Sequence, residues 1–147
     1  IGIDRRRSIF KTIIDNLGGN LNMIVCGGAN LDPKYEKGMH DFGIEIYNGY
    51  GMTEIGITSV EKSNSKKILN SASVGAPFGY TEYKVTDSGE LTVRGRTMAS
   101  RILTGSEEKI TDFDAWFATK DLVSVNNGRY YINGRTSNMQ CSAVCFF

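Results

Sequence analysis

Residues 46–54, Ile-Tyr-Asn-Gly-Tyr-Gly-Met-Thr-Glu, constrain this chain more than any other stretch. An apolar run typical of a buried strand leads directly into Tyr50, which a glycine flanks on each side. Because glycine lets the backbone turn sharply and approach a ligand closely, we predict a strand that opens into a ligand loop. The alternative is a strand-to-helix turn, with Tyr50 half-buried and Glu54 favoured by the helix dipole.

Thr53 and Glu54 follow this aromatic residue and carry the polar groups of the stretch. A threonine hydroxyl can donate to a phosphate oxygen, and a carboxylate is a hard ligand of the kind that Mg²⁺ prefers. We therefore expect a phosphate contact at Thr53 and a metal ligand at Glu54.

Length and charge limit the classes of protein to consider. With 147 residues and 40% hydrophobic content, the chain is one domain or a piece of one. Its net charge of +1 gives no field that would attract nucleic acid or an acidic membrane. No apolar run approaches the ~20 residues that span a bilayer, and no signal-peptide pattern is present, so we expect no transmembrane segment and a cytoplasmic protein.

Three cysteines are too few, and odd in number, for a disulfide framework, which favours a reducing compartment. Cys26 ends an apolar run and is expected to be packed. Cys141 and Cys145 lie four residues apart, but further ligands are lacking and His40 is the only histidine. We therefore expect no zinc site.

The first part of the chain alternates helices and strands. Apolar spacing predicts a helix over residues 8–17 with one buried stripe, and Asp32-Pro33 begins a second helix that ends near residue 42. Short apolar runs at 21–26 and 44–47 predict buried strands. This alternation is typical of a parallel α/β layer, where ligands bind beyond the carboxyl ends of the strands. The turn at 27–29 and the loop at 48–54 would meet there.

The second part of the chain is predicted to be β-rich, with a barrel-like arrangement. Hairpin turns are expected at 87–89 and 126–128, and a helical turn within 106–114. The predicted strands are 80–86, 90–94, 122–126 and 129–132. The predicted organisation is an α/β part at 1–60, a connecting loop at 61–71, the β-rich subdomain at 72–138 and an atypical tail at 139–147.

The order of these motifs resembles the adenylate-forming superfamily, which includes acyl-CoA synthetases, adenylation domains and luciferases. Residues 50–54 match its Tyr-Gly-x-Thr-Glu signature, and residues 116–122 resemble Trp-Phe-x-Thr-Gly-Asp-Leu. Residues 73–77, 89–95 and 134–135 are similar to further motifs of that family. By wording, the resemblance is closest to long-chain fatty acyl-CoA ligases.

The resemblance implies ATP and AMP binding with Mg²⁺, and an acyl-CoA ligase in which a carboxylic acid, here a fatty acid, is activated and passed to coenzyme A. It implies that Tyr50 packs on adenine, Asp121 binds the ribose hydroxyls, Arg135 reaches the nucleotide, and Thr53 and Glu54 serve the reaction. The residues implied to bind the nucleotide are Gly27, Gly28, Ala29, Tyr50, Gly51, Met52, Asp121 and Arg135. The alternatives are a non-catalytic remnant and part of an adenylation domain for an amino or aryl acid.

The resemblance covers residues 21–138 and only part of such an enzyme, so we expect a fragment of the large domain that is inactive alone and self-associates. One departure bears on the site: Lys120 stands where the family has glycine. A left-handed or crowded backbone there would cost on the order of 1 kcal/mol or more and could shift Asp121.

Overall fold

A computed structural model describes residues 4–29 and 31–136, together with the backbone of 144–146. The helices within these residues are α1 Arg6–Ile9, α2 Lys11–Asn16, α3 Pro33–Phe42 and α4 Lys66–Leu69. The strands are β1 Met23–Gly27, β2 Glu45–Met52, β3 Gly56–Val60, β4 Ser73–Gly75, β5 Thr81–Val85, β6 Glu90–Gly95, β7 Arg101–Thr104, β8 Glu107–Ile110, β9 Phe117–Asn126, β10 Arg129–Arg135 and β11 Val144–Phe146.

The first sheet has the strand order β11-β1-β2-β3. β1 and β2 are parallel, with Met23 opposite Glu45, so the predicted parallel pair is confirmed. β3 returns antiparallel to β2, and β11 runs antiparallel along the other edge of β1. The predicted helix between β1 and β2 is also confirmed. Asp32 caps α3 by accepting a bond of 2.8 Å from the Lys34 N–H, and Gly43 ends it with φ of +85°.

β2 runs through Met52, so the expectation of a ligand loop over residues 48–54 is wrong for its first five residues. The glycines serve strand pairing instead. A Cβ on Gly51 would lie 2.3 Å from the Gly56 carbonyl oxygen and 2.8 Å from the Ile57 Cα, so β3 can approach β2 only where that side chain is missing.

The predicted helix over residues 8–17 is split into α1 and α2 at Phe10. The Phe10 ring packs edge-on against Phe42 of α3, with 5.0 Å between ring centroids. Of the predicted apolar stripe only Ile14 is buried, whereas Ile9 is 72% exposed. The apolar residues of the stripe recur with the helical period, but the neighbouring elements bury only Ile14 among them.

The second sheet is antiparallel, with the order β4-β10-β9-β6-β5. The predicted turns between β5 and β6 and between β9 and β10 are confirmed. The expected helical turn within 106–114 is wrong, because β7 and β8 form a separate hairpin there. Hydrogen bonds do not close these strands into a barrel in the part of the chain that the structure describes.

Two cores result from this arrangement. The first packs α2 and the β1–β2 pair and consists of Ile14, Ile24, Cys26, Ile44 and Ile46. The second consists of Tyr50, Ile55, Val74, Leu91, Val93, Met98 and Val123. It takes Tyr50 and Ile55 from before the predicted boundary at residue 60, so the end of β2 is built into the second core.

Cys26 is fully buried, as its apolar neighbours predicted, and it is disulfide-bonded, which the cysteine count did not predict. Cys141 lies outside the described residues. None of the helices described is long and apolar enough to cross a membrane.

Candidate functional site

Tyr50 and Asp121 meet although 71 residues separate them in the sequence. The Tyr50 hydroxyl donates to Asp121 Oδ2 at 2.6 Å, and both residues are buried, at 7% and 6% exposure. Burial raises the pKa of the Tyr50 hydroxyl, so it stays protonated and acts as the donor. Burial also raises the pKa of Asp121, against the lowering effects of the Tyr50 hydrogen bond and the Arg135 charge.

Arg135, at the end of β10, lies on the other side of this carboxylate. Its Nε is 3.0 Å from Asp121 Oδ1, and its Nη2 donates to the Thr119 carbonyl at 3.3 Å. The contact with Asp121 is an ion pair that lacks hydrogen-bond geometry. Arg135 Nε is buried and makes no hydrogen bond to any described residue. Three residues of the predicted site therefore lie together, with an N–H donor and a carboxylate oxygen side by side.

A bulge in β9 presents Asp121 to this site. Ala118 and Leu122 of β9 pair with Thr92 and Glu90 of β6, so three β9 residues stand opposite one β6 residue. The Thr119 hydroxyl holds the bulge by donating to the Leu91 carbonyl at 2.7 Å and accepting from the Asp121 N–H at 3.1 Å.

Lys120, at the centre of this bulge, has φ of +63°. This is the left-handed backbone that its replacement of a family glycine predicted. The Lys120 N–H donates to Glu90 Oε1 at 2.9 Å. Asp121 is hydrogen-bonded to Tyr50 and Thr119 although residue 120 is not a glycine.

Gly27 ends β1 at the carboxyl end of the parallel pair, and Gly28 and Ala29 follow it. A Cβ on Gly27 would lie 3.1 Å from the Gly49 carbonyl oxygen, so the turn runs directly beside the strand that carries Tyr50. Gly28 is exposed, with φ of +84°. The structure thus brings this turn to the residue before Tyr50, as the sequence predicted.

The structure gives Gly51 and Met52 roles in packing. Gly51 makes room for the β3 backbone, and Met52 packs against the second core. Thr53 and Glu54 lie in the turn between β2 and β3, where the Glu54 carbonyl accepts from the Ala99 N–H at 2.8 Å. Among the described residues, no hydrogen bond or ion pair joins either of them to Tyr50, Asp121 or Arg135.

The sequence analysis did not single out Thr119 or the polar groups beneath Tyr50. Thr58 Oγ1 donates to the Tyr50 carbonyl at 3.2 Å, and the Tyr83 hydroxyl donates to Ser59 Oγ at 3.1 Å. Thr119 stands in the motif that carries Asp121, which was a usable signal. Tyr83 had none, because its contact with Tyr50 depends on how the two sheets meet. Thr58 reaches Tyr50 through the pairing of β3 with β2.

The family model for AMP-binding enzymes matches residues 5–103 of this chain. A long-chain-fatty-acid–CoA ligase of Mycobacterium bovis is 32% identical over 140 residues, which is 93% of this chain and 23% of that protein. A 2-succinylbenzoate–CoA ligase of Escherichia coli is 26% identical over 132 residues, 89% of this chain and 28% of that protein.

Solved structures agree on the fold. An Escherichia coli MenE variant with bound OSB-AMS matches 89% of this chain and 29% of its own, with a TM-score of 0.68 and 22% identity. The chain therefore spans about a quarter of the length of the curated relatives that it matches. A family-model match over two thirds of the residues is what identifies it: this chain belongs to the family of AMP-binding enzymes.

Proposed function

We propose that this chain carries the ribose-binding and adenine-binding part of an ATP-dependent acyl-CoA ligase. The observation that carries the proposal is the meeting of Tyr50, Asp121 and Arg135, three motif residues from β2, β9 and β10, at one buried place. An aromatic ring can pack on the base of a nucleoside monophosphate, and a carboxylate and a guanidinium can together bind its ribose hydroxyls.

The proposed reaction has two steps. An oxygen of the substrate carboxylate attacks the α-phosphorus of ATP, which forms the acyl-adenylate and releases pyrophosphate. The thiolate sulfur of coenzyme A then attacks the acyl carbon, a thioester forms, and AMP leaves. Neither step needs a nucleophilic side chain of the protein, so the contribution of this chain is to bind and orient the nucleotide.

Glu54 fits the role of the Mg²⁺ ligand in this proposal. Its carboxylate makes no hydrogen bond or ion pair to any described residue, and the residue is half-buried beside the exposed Thr53. Mg²⁺ is commonly held by one or two carboxylates together with phosphate oxygens, so a single protein carboxylate is sufficient. Bound there, the ion would offset the negative charge of the phosphates, and the Thr53 hydroxyl could donate to a phosphate oxygen.

We propose that the activated acid is a long-chain fatty acid, because the relative from Mycobacterium bovis is a long-chain-fatty-acid–CoA ligase. An aryl acid is the second candidate, because a 2-succinylbenzoate–CoA ligase matches a similar share of the chain. Both candidates predict the same nucleotide site. A panel of fatty and aryl acids in ATP–pyrophosphate exchange, with a protein of the relatives' full length, would distinguish them.

Titration calorimetry with AMP tests the nucleotide site in this chain. We expect weak binding by the wild type and a loss of about tenfold or more in Asp121→Ala, because one charged hydrogen-bonding partner is worth about 1.5–3 kcal/mol. Asp87→Ala, which removes an exposed carboxylate at the β5–β6 turn, should bind as the wild type does. Equal affinities for all three proteins would remove Asp121 from the site.

A further inference from the structure

We propose that the Tyr50 hydroxyl is a positioning group, which holds Asp121 by one carboxylate oxygen and leaves the other oxygen for a ribose hydroxyl. This inference rests on the proposed function, because it assigns the ribose of AMP or ATP to Asp121. It adds a role for the hydroxyl of Tyr50 that is separate from the packing of its ring on adenine.

The two oxygens of Asp121 have different surroundings. Oδ2 accepts the 2.6 Å bond from the Tyr50 hydroxyl, a charge-assisted contact that also fixes the rotation of the carboxylate. Oδ1 lies 3.0 Å from Arg135 Nε in an ion pair that lacks hydrogen-bond geometry. The Tyr50 hydroxyl therefore engages Oδ2, and Oδ1 accepts no hydrogen bond among the described residues.

The remaining groups suit a vicinal diol. Each hydroxyl of a ribose can donate one hydrogen bond and accept others. Asp121 Oδ1 is an acceptor, and the buried Nε–H of Arg135 is a donor without a hydrogen bond among the described residues. An acceptor and a donor 3.0 Å apart could satisfy both hydroxyls, which would also remove the cost of the orphaned Nε–H.

The hydroxyl of Tyr50 can be removed without removing its ring. The ring lies in the second core and meets Tyr83 edge-on, with centroids 6.3 Å apart. Phenylalanine keeps this packing, and the Thr58 bond to the backbone carbonyl of residue 50 does not depend on the side chain. Tyr50→Phe therefore isolates the contact with Asp121.

The first test needs no ligand. The charged and titratable groups around Asp121 are Tyr50 from β2, Arg135 from β10 and Glu90 from β6. Removal of the Tyr50 donor leaves a buried carboxylate with less stabilisation of its charged form, so the Asp121 pKa should rise in Tyr50→Phe. Carbon-13 NMR of the Asp121 carboxyl measures it. Tyr47→Phe, a matched loss of a phenolic hydroxyl on the same strand that donates to Glu45, should leave that pKa unchanged.

The second test compares AMP with 2′,3′-dideoxy-AMP in calorimetry. Tyr50→Phe should weaken AMP binding about fivefold to tenfold and leave the affinity for dideoxy-AMP unchanged, because only AMP has ribose hydroxyls that can donate to Asp121. Tyr47→Phe should bind both as the wild type does.

The outcomes separate this inference from the proposed function. An unchanged Asp121 pKa in Tyr50→Phe, or an equal loss for the two nucleotides, overturns the positioning role while AMP binding by the wild type stands. No binding of AMP by the wild type overturns the proposed function and the ribose assignment together.

Discussion

Lys120 occupies a backbone conformation that favours glycine. Its φ of +63° places it in the left-handed region, where an L-amino acid with a side chain is disfavoured by roughly 1–2 kcal/mol. The surroundings impose this conformation, because the Lys120 N–H donates to Glu90 and its carbonyl accepts from the Thr136 N–H at 2.8 Å. The bulge that presents Asp121 therefore contains a strained residue.

Lys120→Gly should raise the free energy of unfolding by about 1 kcal/mol, because glycine adopts a positive φ without the steric penalty of a Cβ. Urea denaturation measures the change. Lys84→Gly is the control, since Lys84 is an exposed residue of β5 without a positive φ, and there glycine should destabilise the chain. Destabilisation by both substitutions would show that the Lys120 side chain outweighs its backbone strain.

Glu36 of α3 is a second residue whose state depends on its surroundings. It is fully buried, its Oε2 accepts from the Ala72 N–H at 3.2 Å, and its Oε1 has no hydrogen bond to the described residues. Burial raises the pKa of this carboxyl to about 7. Nearby Glu61 raises it further, and the bond from Ala72 opposes the shift.

The raised pKa predicts a stability that falls with pH. Below the ordinary pKa of about 4.3, Glu36 is protonated in both states and contributes no pH dependence. Between that pH and about 7 only the unfolded chain releases the proton, so the free energy of unfolding should fall by about 3–4 kcal/mol in total. Urea midpoints from pH 4 to pH 8 measure this slope.

Glu36→Gln removes the titrating group but keeps an oxygen to accept from Ala72. The variant should be more stable than the wild type at pH 8 and should lose most of the slope between pH 4.5 and 7. The same slope in both proteins would assign the pH dependence to another group.

At the scale of elements, the β2–β3 pair explains why glycine stands at position 51. The Cβ of any other residue would lie 2.3 Å from the Gly56 carbonyl oxygen, a backbone atom that cannot move by rotating a side chain. Tyr50 precedes this contact and joins the first sheet to the second core. A shift of β3 would therefore also move the ring that reaches Asp121.

Gly51→Ala should lower the free energy of unfolding by roughly 2–3 kcal/mol, as overpacking against fixed backbone does. Gly38→Ala is the matched control. Gly38 lies within α3, nothing lies within 4 Å of its added Cβ, and alanine is the better helix former by about 1 kcal/mol. The two glycine-to-alanine substitutions should thus change stability in opposite directions. Similar unfolding midpoints for Gly51→Ala and the wild type would show that β3 moves away at little cost.

At the scale of the whole molecule, we expect the exposed apolar side chains and the sheet edges to govern any association between copies. Ile9, Leu17 and Met23 are 72%, 42% and 53% exposed, which leaves apolar surface around α1, α2 and the start of β1. β11 pairs with β1 of its own chain, with residue 145 opposite Cys26, so the tail covers one edge of β1.

Deletion of residues 139–147 should therefore increase self-association, because β1 would present an unpaired edge. Light scattering over a concentration series compares the deletion with the full chain, which we expect to associate weakly through its apolar surface. Ile9→Ser is the control and should reduce association of the full chain. Less association after the deletion would contradict this prediction and would show that the tail itself makes the contact between copies.

The sequence by itself determined the features that depend on neighbouring residues. The limits of α3 follow from Asp32-Pro33 and Gly43, and the hairpin turns follow from their Asn, Asp and Gly residues, because caps and turns are local in their physics. The order of the site motifs could be recognised in the sequence. The lysine at position 120, where the family has glycine, indicated the left-handed backbone that the bulge contains.

Only the tertiary structure decided how distant segments meet. The glycines around Tyr50 predict a loop, but the missing Cβ of Gly51 admits β3. The apolar period predicts one helix over residues 8–17, but that helix is interrupted at Phe10, whose ring packs on Phe42 of α3. The contact of Tyr50 with Asp121 also depends on the packing of two sheets around one core. Spacing in the sequence carries no information about such contacts, because their energies arise between residues that the fold alone brings together.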